Sequence, residues 1–379
     1  MSAPLRLGFP VKVMAAPGLK SNDTRRWQKG PHLKTSLEYI AAIFAHMRRR
    51  GLTMYRMSSD LAPYATHPDM PQFHSMVAES DAELRETGRL AREADIRLSF
   101  HPSQFVVLNS PDPELTRKSV WDLASQADML DRMELGPEAV MVIHGGGVYG
   151  DKAGSRARWA AVWPTLPEPV RRRLVLEHDD IRFSAADVLW VHEHTGVRLV
   201  FDYQHFWCLN PEGLEMLPTL RRILGTWPGD VRPKLHFSSP RTELREVVRK
   251  LKPAGAAAAA AKPKRARKAE VTKAPVKPRA RTKTVLLPPI WTGHADFTNP
   301  FEFARFMRDA EGLEFDVMLE GKAKDISLLK LRPDLLRYAP DVAARFGVHP
   351  KDAEALQAEE AALETDHDPA ADPDVDEAA

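Results

Sequence analysis

Six β-rich apolar runs in this chain end in histidine, aspartate or glutamate. They are LSFHP at His101, VMVIHGGG at His144, LVLEHDD at Glu177, LVFDYQH at Asp202 and His205, KLHFSS at His236, and VMLEG at Glu320. One such ending means little, because a lone polar residue at a strand end usually caps a helix or satisfies a backbone group. Six in one chain imply that parallel strands gather their C-terminal ends around one point. Two further runs bring the strand count to eight, at residues 5–11, 53–59, 96–102, 139–146, 173–179, 197–204, 233–238 and 316–321. Helix-length segments with apolar positions at i, i+3, i+4 and i+7 separate most of them, as in LEYIAAIFAHMRRR and DAELRETGRLAREA. Eight alternating units predict a closed (β/α)8 TIM barrel, with the donor residues on its upper rim. A doubly wound open sheet fits less well, because no GxGxxG follows the first strand.

The donors are imidazoles and carboxylates, a set suited to Zn²⁺ or Mn²⁺. Cys208 is the only cysteine, which excludes an intrachain disulfide and a thiolate site, and points to a reducing, cytoplasmic setting. No apolar run approaches the length of a membrane span, and the first residues lack the layout of a signal peptide. Several such donors together hold more than one ion, and paired ions suit in-line displacement at phosphorus. HGGG at His144 also resembles an esterase oxyanion turn. No GxSxG elbow accompanies it, so the glycines read as permitting close backbone approach.

The net charge of +2 conceals segregation. Residues 252–284 hold eleven Lys/Arg and one acid, Glu270, whereas residues 350–379 hold eleven Asp/Glu and one Lys. The first segment, rich in Ala and Pro, interrupts the barrel and cannot bury apolar surface, which predicts disorder. Lys264, Arg265, Arg267 and Lys268 in it are candidate phosphate-binding residues. A short helix is expected over residues 352–363 and a disordered acidic tail beyond.

The ordered segments RLGFP, RMSSDLAP, SFHPSQF, VIHGGG, LEHDD, FDYQHF, KLHFSSPR, GHADF and MLEGKAKD resemble the UV damage endonucleases, TIM barrels related to endonuclease IV and the xylose isomerase-like proteins. The resemblance runs from about Leu5 to Leu331. It implies a barrel domain over residues 1–347, a basic insert at 252–284 and an acidic tail at 348–379. It implies incision of DNA on the 5′ side of pyrimidine dimers, with 6-4 photoproducts and abasic sites as further substrates. By resemblance, His101, His144 and Glu177 hold one metal, and Glu177 bridges to a second held by Asp202, His236 and Glu320. His205 and His294 resemble ligands of a third, and His67 and Asp296 join the candidates. Two or three divalent ions, typically Mn²⁺, are implied. Glu177, Lys234 and His236 are assigned to catalysis, and Lys234 matches a lysine that this family can carboxylate. Gln104 and Phe105 match a pair that enters the duplex beside a flipped lesion. Phe9 belongs with them as a DNA contact. Tyr is common in the family where this chain has Phe9 and Phe105, and Asn where it has Val13.

The implied partner is damaged double-stranded DNA, bound by a monomer in the cytoplasm or at the nucleoid, with no nucleotide cofactor and no membrane. A metal-dependent sugar isomerase on the same barrel is the alternative. A non-catalytic DNA-binding protein using the basic insert is a third reading.

Overall fold

The computed structural model describes residues 3–250 and 282–363. It comprises two compact units, Met1–Pro240 with Thr292–Ala379, and Arg241–Trp291. In the first, all eight expected strands form. They are β1 (Leu7–Pro10), β2 (Met54–Arg56), β3 (Arg97–Phe100), β4 (Val140–His144), β5 (Leu174–Glu177), β6 (Arg198–Val200), β7 (Lys234–Phe237) and, after the second unit, β10 (Asp316–Leu319). Every neighbouring pair is parallel, in the order β6-β5-β4-β3-β2-β1-β10-β7. The last gap closes through a parallel bridge between Asp202 and His236, whose N–H donates to Phe201 O at 2.9 Å. The barrel is therefore complete.

Strand alternation divides its apolar residues into two sets. Leu98, Phe100, Met141, Ile143, Leu176 and Phe201 belong to the large core under the helices. Val140, Val142, Val175 and Val200 form a separate lumen cluster with Trp227 and Val231. Gly8 lies at a crowded point of the same lumen: a Cβ there would sit 2.7 Å from Met54 Cγ. Below the valines, Arg97 and Arg198 lie over the Trp227 ring, at 5.8 and 4.9 Å from its centroid. Arg97 Nη1 donates to Asp316 Oδ2 at 2.8 Å. Charge thus occupies both ends of the lumen, and valine fills the middle.

The helices follow from local signals. Asp112 accepts from Glu114 N–H and caps Pro113–Arg132. His32 accepts from Lys34 N–H at the start of Leu33–Arg50, which stops at Gly51 in the left-handed region (φ 62°). Among the described residues, no helix is long and apolar enough to cross a membrane.

Three boundaries differ from expectation. Residues 203–204 are helical, because Asp202 accepts the His205 N–H at 2.7 Å and starts Tyr203–Cys208. The barrel unit extends past residue 347: Leu356 in the helix Ala353–Ala361 is buried, Glu359 pairs with Arg50 at 3.0 Å, and Lys330 pairs with Glu360 at 3.0 Å. The basic insert ends earlier than 284, since β9 (Thr282–Leu287) pairs antiparallel with β8 (Arg245–Lys250) in the second unit. Lys264, Arg265, Arg267, Lys268 and the expected disorder of the insert and the terminal tail lie outside the described residues.

Candidate metal centre

The first residues after several strands, and the last residues of others, converge above the valine layer. His144 and Glu177 end β4 and β5 side by side in register, while His101, Asp202 and Glu320 follow β3, β6 and β10. His236 stands within β7, two residues above Lys234, so both face the lumen. Three groups of donor atoms result, each with its members within 4.8 Å: His101, His144 and Glu177; Glu177, Asp202 and His205; and Asp202, His236 and Glu320. Glu177 is the hub. Its Oε1 lies 2.9 Å from His236 Nδ1 and 3.5 Å from His205 Nδ1, and its Oε2 lies 3.4 Å from His101 Nε2 and 3.9 Å from His144 Nε2.

The donor set fits metal ions for two reasons. Glu177 Oε2, Asp202 Oδ2 and His236 Nε2 are buried yet carry no hydrogen bond. Buried polar atoms without partners are costly, and a cation relieves that cost. In addition, three rings place Nδ1 beside a backbone carbonyl: His101 at Pro102 O (3.1 Å), His205 at His178 O (3.0 Å) and His294 at Glu320 O (3.1 Å). An Nδ1–H donated there fixes the ring and leaves the Nε2 lone pair for an ion.

The electrostatics agree. Burial pushes His144 down to about 4, and lowers His236 and His294 as well, which favours the unprotonated, ligating form of each ring. Burial also works to raise Glu177, but the His236 and His144 imidazoles outweigh it and hold that carboxyl well below the usual range. For Glu320, burial is outweighed by Arg56 and His236. Asp202 goes the other way: burial pushes its carboxyl up to about 7, His205 opposes this, and Glu177 and Glu320 add to it. Lys234 is held well below the usual lysine range by burial, with Arg56 and Arg97 adding to the effect. Its Nζ donates to Ser99 Oγ at 3.0 Å.

The remaining candidates divide. His294 Nδ1 is 3.8 Å from Glu320 Oε2, at the edge of the cluster. His67 and Asp296 belong to none of the three donor groups: His67 packs edge-on to Tyr64, and Asp296 is exposed with its carbonyl accepting from Ala323 N–H. Gln104 and Phe105 form an exposed turn after His101, and Phe105 is 75% exposed. Phe9 does not reach the surface. It is wholly buried and packs on Tyr55 at 5.3 Å, which corrects its assignment as a DNA contact. Val13 is likewise buried, where an Asn would need a partner. The glycines after His144 allow close approach to neighbouring loops: a Cβ at Gly146 (φ 85°) would sit 2.4 Å from Asn109 Oδ1.

Sequence reasoning missed two residues here. Arg56, at the end of β2, pairs with Glu320, and its signal was two-residue alternation from Met54. His178, next to Glu177, accepts the Asp202 N–H through Nε2 at 3.0 Å.

The model of the family UV-endonuclease UvdE matches residues 31–344. The chain belongs to this family. It is 37% identical to a UV DNA damage endonuclease of Bacillus velezensis over 213 residues, 56% of this chain and 65% of that protein. A UV DNA damage endonuclease of Bacillus cereus (strain B4264) is 31% identical over 238 residues, 62% of this chain and 74% of that protein. The chain thus spans just under two thirds of the first relative's length. The crystal structure of SacUVDE superposes with a TM-score of 0.67 at 27% identity, covering 88% of this chain and 98% of that one.

Proposed function

We propose that this chain is a metal-dependent DNA repair endonuclease that nicks duplex DNA on the 5′ side of UV photoproducts. The observation that carries the reading is the convergence of seven donor side chains in three overlapping groups at the C-terminal mouth of the barrel, with Glu177 shared by two of the groups and unpaired buried oxygens and nitrogens among them. Membership of the UV-endonuclease family supplies the substrate class.

His101, His144 and Glu177 would hold one ion, and Asp202, His236 and Glu320 another, with His205 and His294 available for a third. Mn²⁺ is the ion proposed, although the N/O donors also accept Zn²⁺. Bound there, such ions supply an activated water and counter-charge for the phosphate and the leaving 3′-oxygen. The chain's own groups do the rest. Glu177 spans the donor groups and fixes their spacing. Arg56 keeps Glu320 ionised and oriented. Burial disfavours the Lys234 ammonium and so favours the free amine, the form that reacts with carbon dioxide, and carboxylation would add an anionic donor beneath the cluster. Gln104 and Phe105 project as a wedge that fills the gap left by an extruded lesion.

The test is incision of UV-irradiated plasmid with added Mn²⁺ and after chelation. Nicking confined to irradiated DNA, and lost on chelation, is expected. Equal nicking of unirradiated plasmid, or persistence after chelation, would overturn the reading.

A further inference from the structure

The second unit, Arg241–Trp291, contains a two-stranded ribbon that the donor cluster does not explain. Its register puts Arg245 opposite Leu287, Val247 opposite Val285, and Arg249 opposite Lys283 on one face. The other face carries Glu246 opposite Leu286 and Val248 opposite Thr284. Arg249 and Lys283 are like charges directly across the ladder, an arrangement that destabilises a sheet unless an anion lies against it. Both are exposed.

Apolar side chains of the unit are exposed as well: Leu244 at 65%, Val248 at 64% and Leu286 at 64%. A two-stranded ribbon alone is marginal in water. Among the described residues of this unit, only one acid, Glu246, lies on the two strands. A basic ribbon with exposed apolar side chains is complementary to duplex DNA. A two-stranded ribbon is narrow enough for the major groove, where basic side chains can reach phosphates and aliphatic ones can meet sugar and base edges.

We propose that this ribbon is a DNA-gripping arm, with Arg245, Arg249 and Lys283 on the phosphates. The proposal rests on the endonuclease reading for its substrate, but it concerns affinity rather than chemistry. The ribbon contacts DNA irrespective of damage, because phosphates carry no lesion information.

The test compares the full chain with a variant carrying Arg245→Gln, Arg249→Gln and Lys283→Gln, and with one carrying Arg245→Lys and Arg249→Lys. The probe is an undamaged 30-mer duplex followed by fluorescence anisotropy from low to moderate salt. The glutamine variant should bind at least about tenfold more weakly at low salt, and its salt slope should shrink by roughly 3, about 0.9 per lost phosphate contact. The lysine variant should keep both, since charge is retained. An unchanged slope in the glutamine variant, or a dimer of the parent chain that the glutamine variant loses, overturns the proposal. The second result would assign the ribbon to pairing between copies. Irradiated-plasmid nicking by the parent chain is scored separately, so failure of the endonuclease reading is distinguishable from failure of the arm.

Discussion

His178 Nε2 accepts the backbone N–H of Asp202 at 3.0 Å, tying the residue after β5 to the turn that carries a donor of the next group. Both are fully buried, and burial pushes His178 down to about 3, so its lone pair is always available to that N–H. Replacing His178 with Phe keeps the volume and removes the acceptor. The Asp202 amide then loses its only hydrogen bond in a buried site, which costs about 1–3 kcal/mol. Mn²⁺ affinity should fall roughly 10–100-fold, as for other groups that orient ligands. Calorimetric titration checks this, and unchanged affinity would remove His178 from the supporting shell.

Glu177→Gln is the sharpest test of the hub. The amide is nearly isosteric, but it cannot neutralise cations and faces four imidazoles. Incision of irradiated plasmid should drop by at least about a thousandfold, equivalent to roughly 4 kcal/mol of lost transition-state stabilisation. The variant should remain folded by circular dichroism. A folded Glu177→Gln protein with full nicking would show that the cluster is not the active site.

The pH dependence of ion uptake follows from Asp202 and His205. Burial raises Asp202 to about 7, so the group is largely protonated at pH 6. His205 is opposed by burial, but Asp202 and Glu177 outweigh it and hold its imidazolium well above the usual range. In the ion-free protein, Asp202 has a higher pKa folded than unfolded (about 3.9). The folded state therefore binds the extra proton between about 4 and 7, and the stability from this group falls as pH rises through that window. An incoming cation displaces both protons. Apparent Mn²⁺ affinity should thus climb with pH up to about 7, then rise less steeply as His205 alone gives up its proton. Titration in buffers of different ionisation enthalpy reads the released protons directly. A flat profile from pH 5 to 8 would contradict the assignment of Asp202 as a ligand.

The barrel floor gives a stability prediction. Arg97 and Asp316 pair at 2.8 Å with both side chains buried, and Arg232 and Arg6 approach the same carboxylate at 3.5 and 3.9 Å. Asp316→Ala leaves the buried Arg97 without a counter-ion. The loss should be about 3–5 kcal/mol, the usual cost of removing one partner from a buried pair. Chemical denaturation should show it as a lower midpoint with an unchanged slope.

Much of this architecture is legible in the sequence. A continuous apolar run such as VMVIH reads as a parallel strand buried on both faces, and the polar residue at its end then falls at the rim. That is why His101, His144, Glu177, Asp202, His236 and Glu320 were found together. The misses have local physical causes. A motif position does not report depth, so Phe9 looked like a DNA contact although its strand buries it completely. Arg56 and His178 act through neighbours brought close only by barrel closure: alternation from Met54 puts Arg56 on the lumen face, but nothing in the chain names Glu320 or the Asp202 amide as the partner. The ribbon β8–β9 was hidden because REVVRK and TKTVLL are short and pair across a long intervening segment.

Phe105 separates recognition from folding. At 75% exposure it contributes little to the barrel, so Phe105→Ala should change stability by no more than about 0.5 kcal/mol. Under the function proposed above, its ring, on the exposed turn after His101, stacks in the space an extruded photoproduct leaves. Stacking of a base on an aromatic ring is worth about 1–3 kcal/mol. Incision of a dimer-containing duplex should therefore weaken by roughly 5–150-fold at sub-saturating DNA, while Mn²⁺ affinity stays unchanged because no donor is altered. Phe105→Tyr keeps the ring and should retain incision. Alanine and tyrosine variants of equal activity would place lesion sensing elsewhere on the rim.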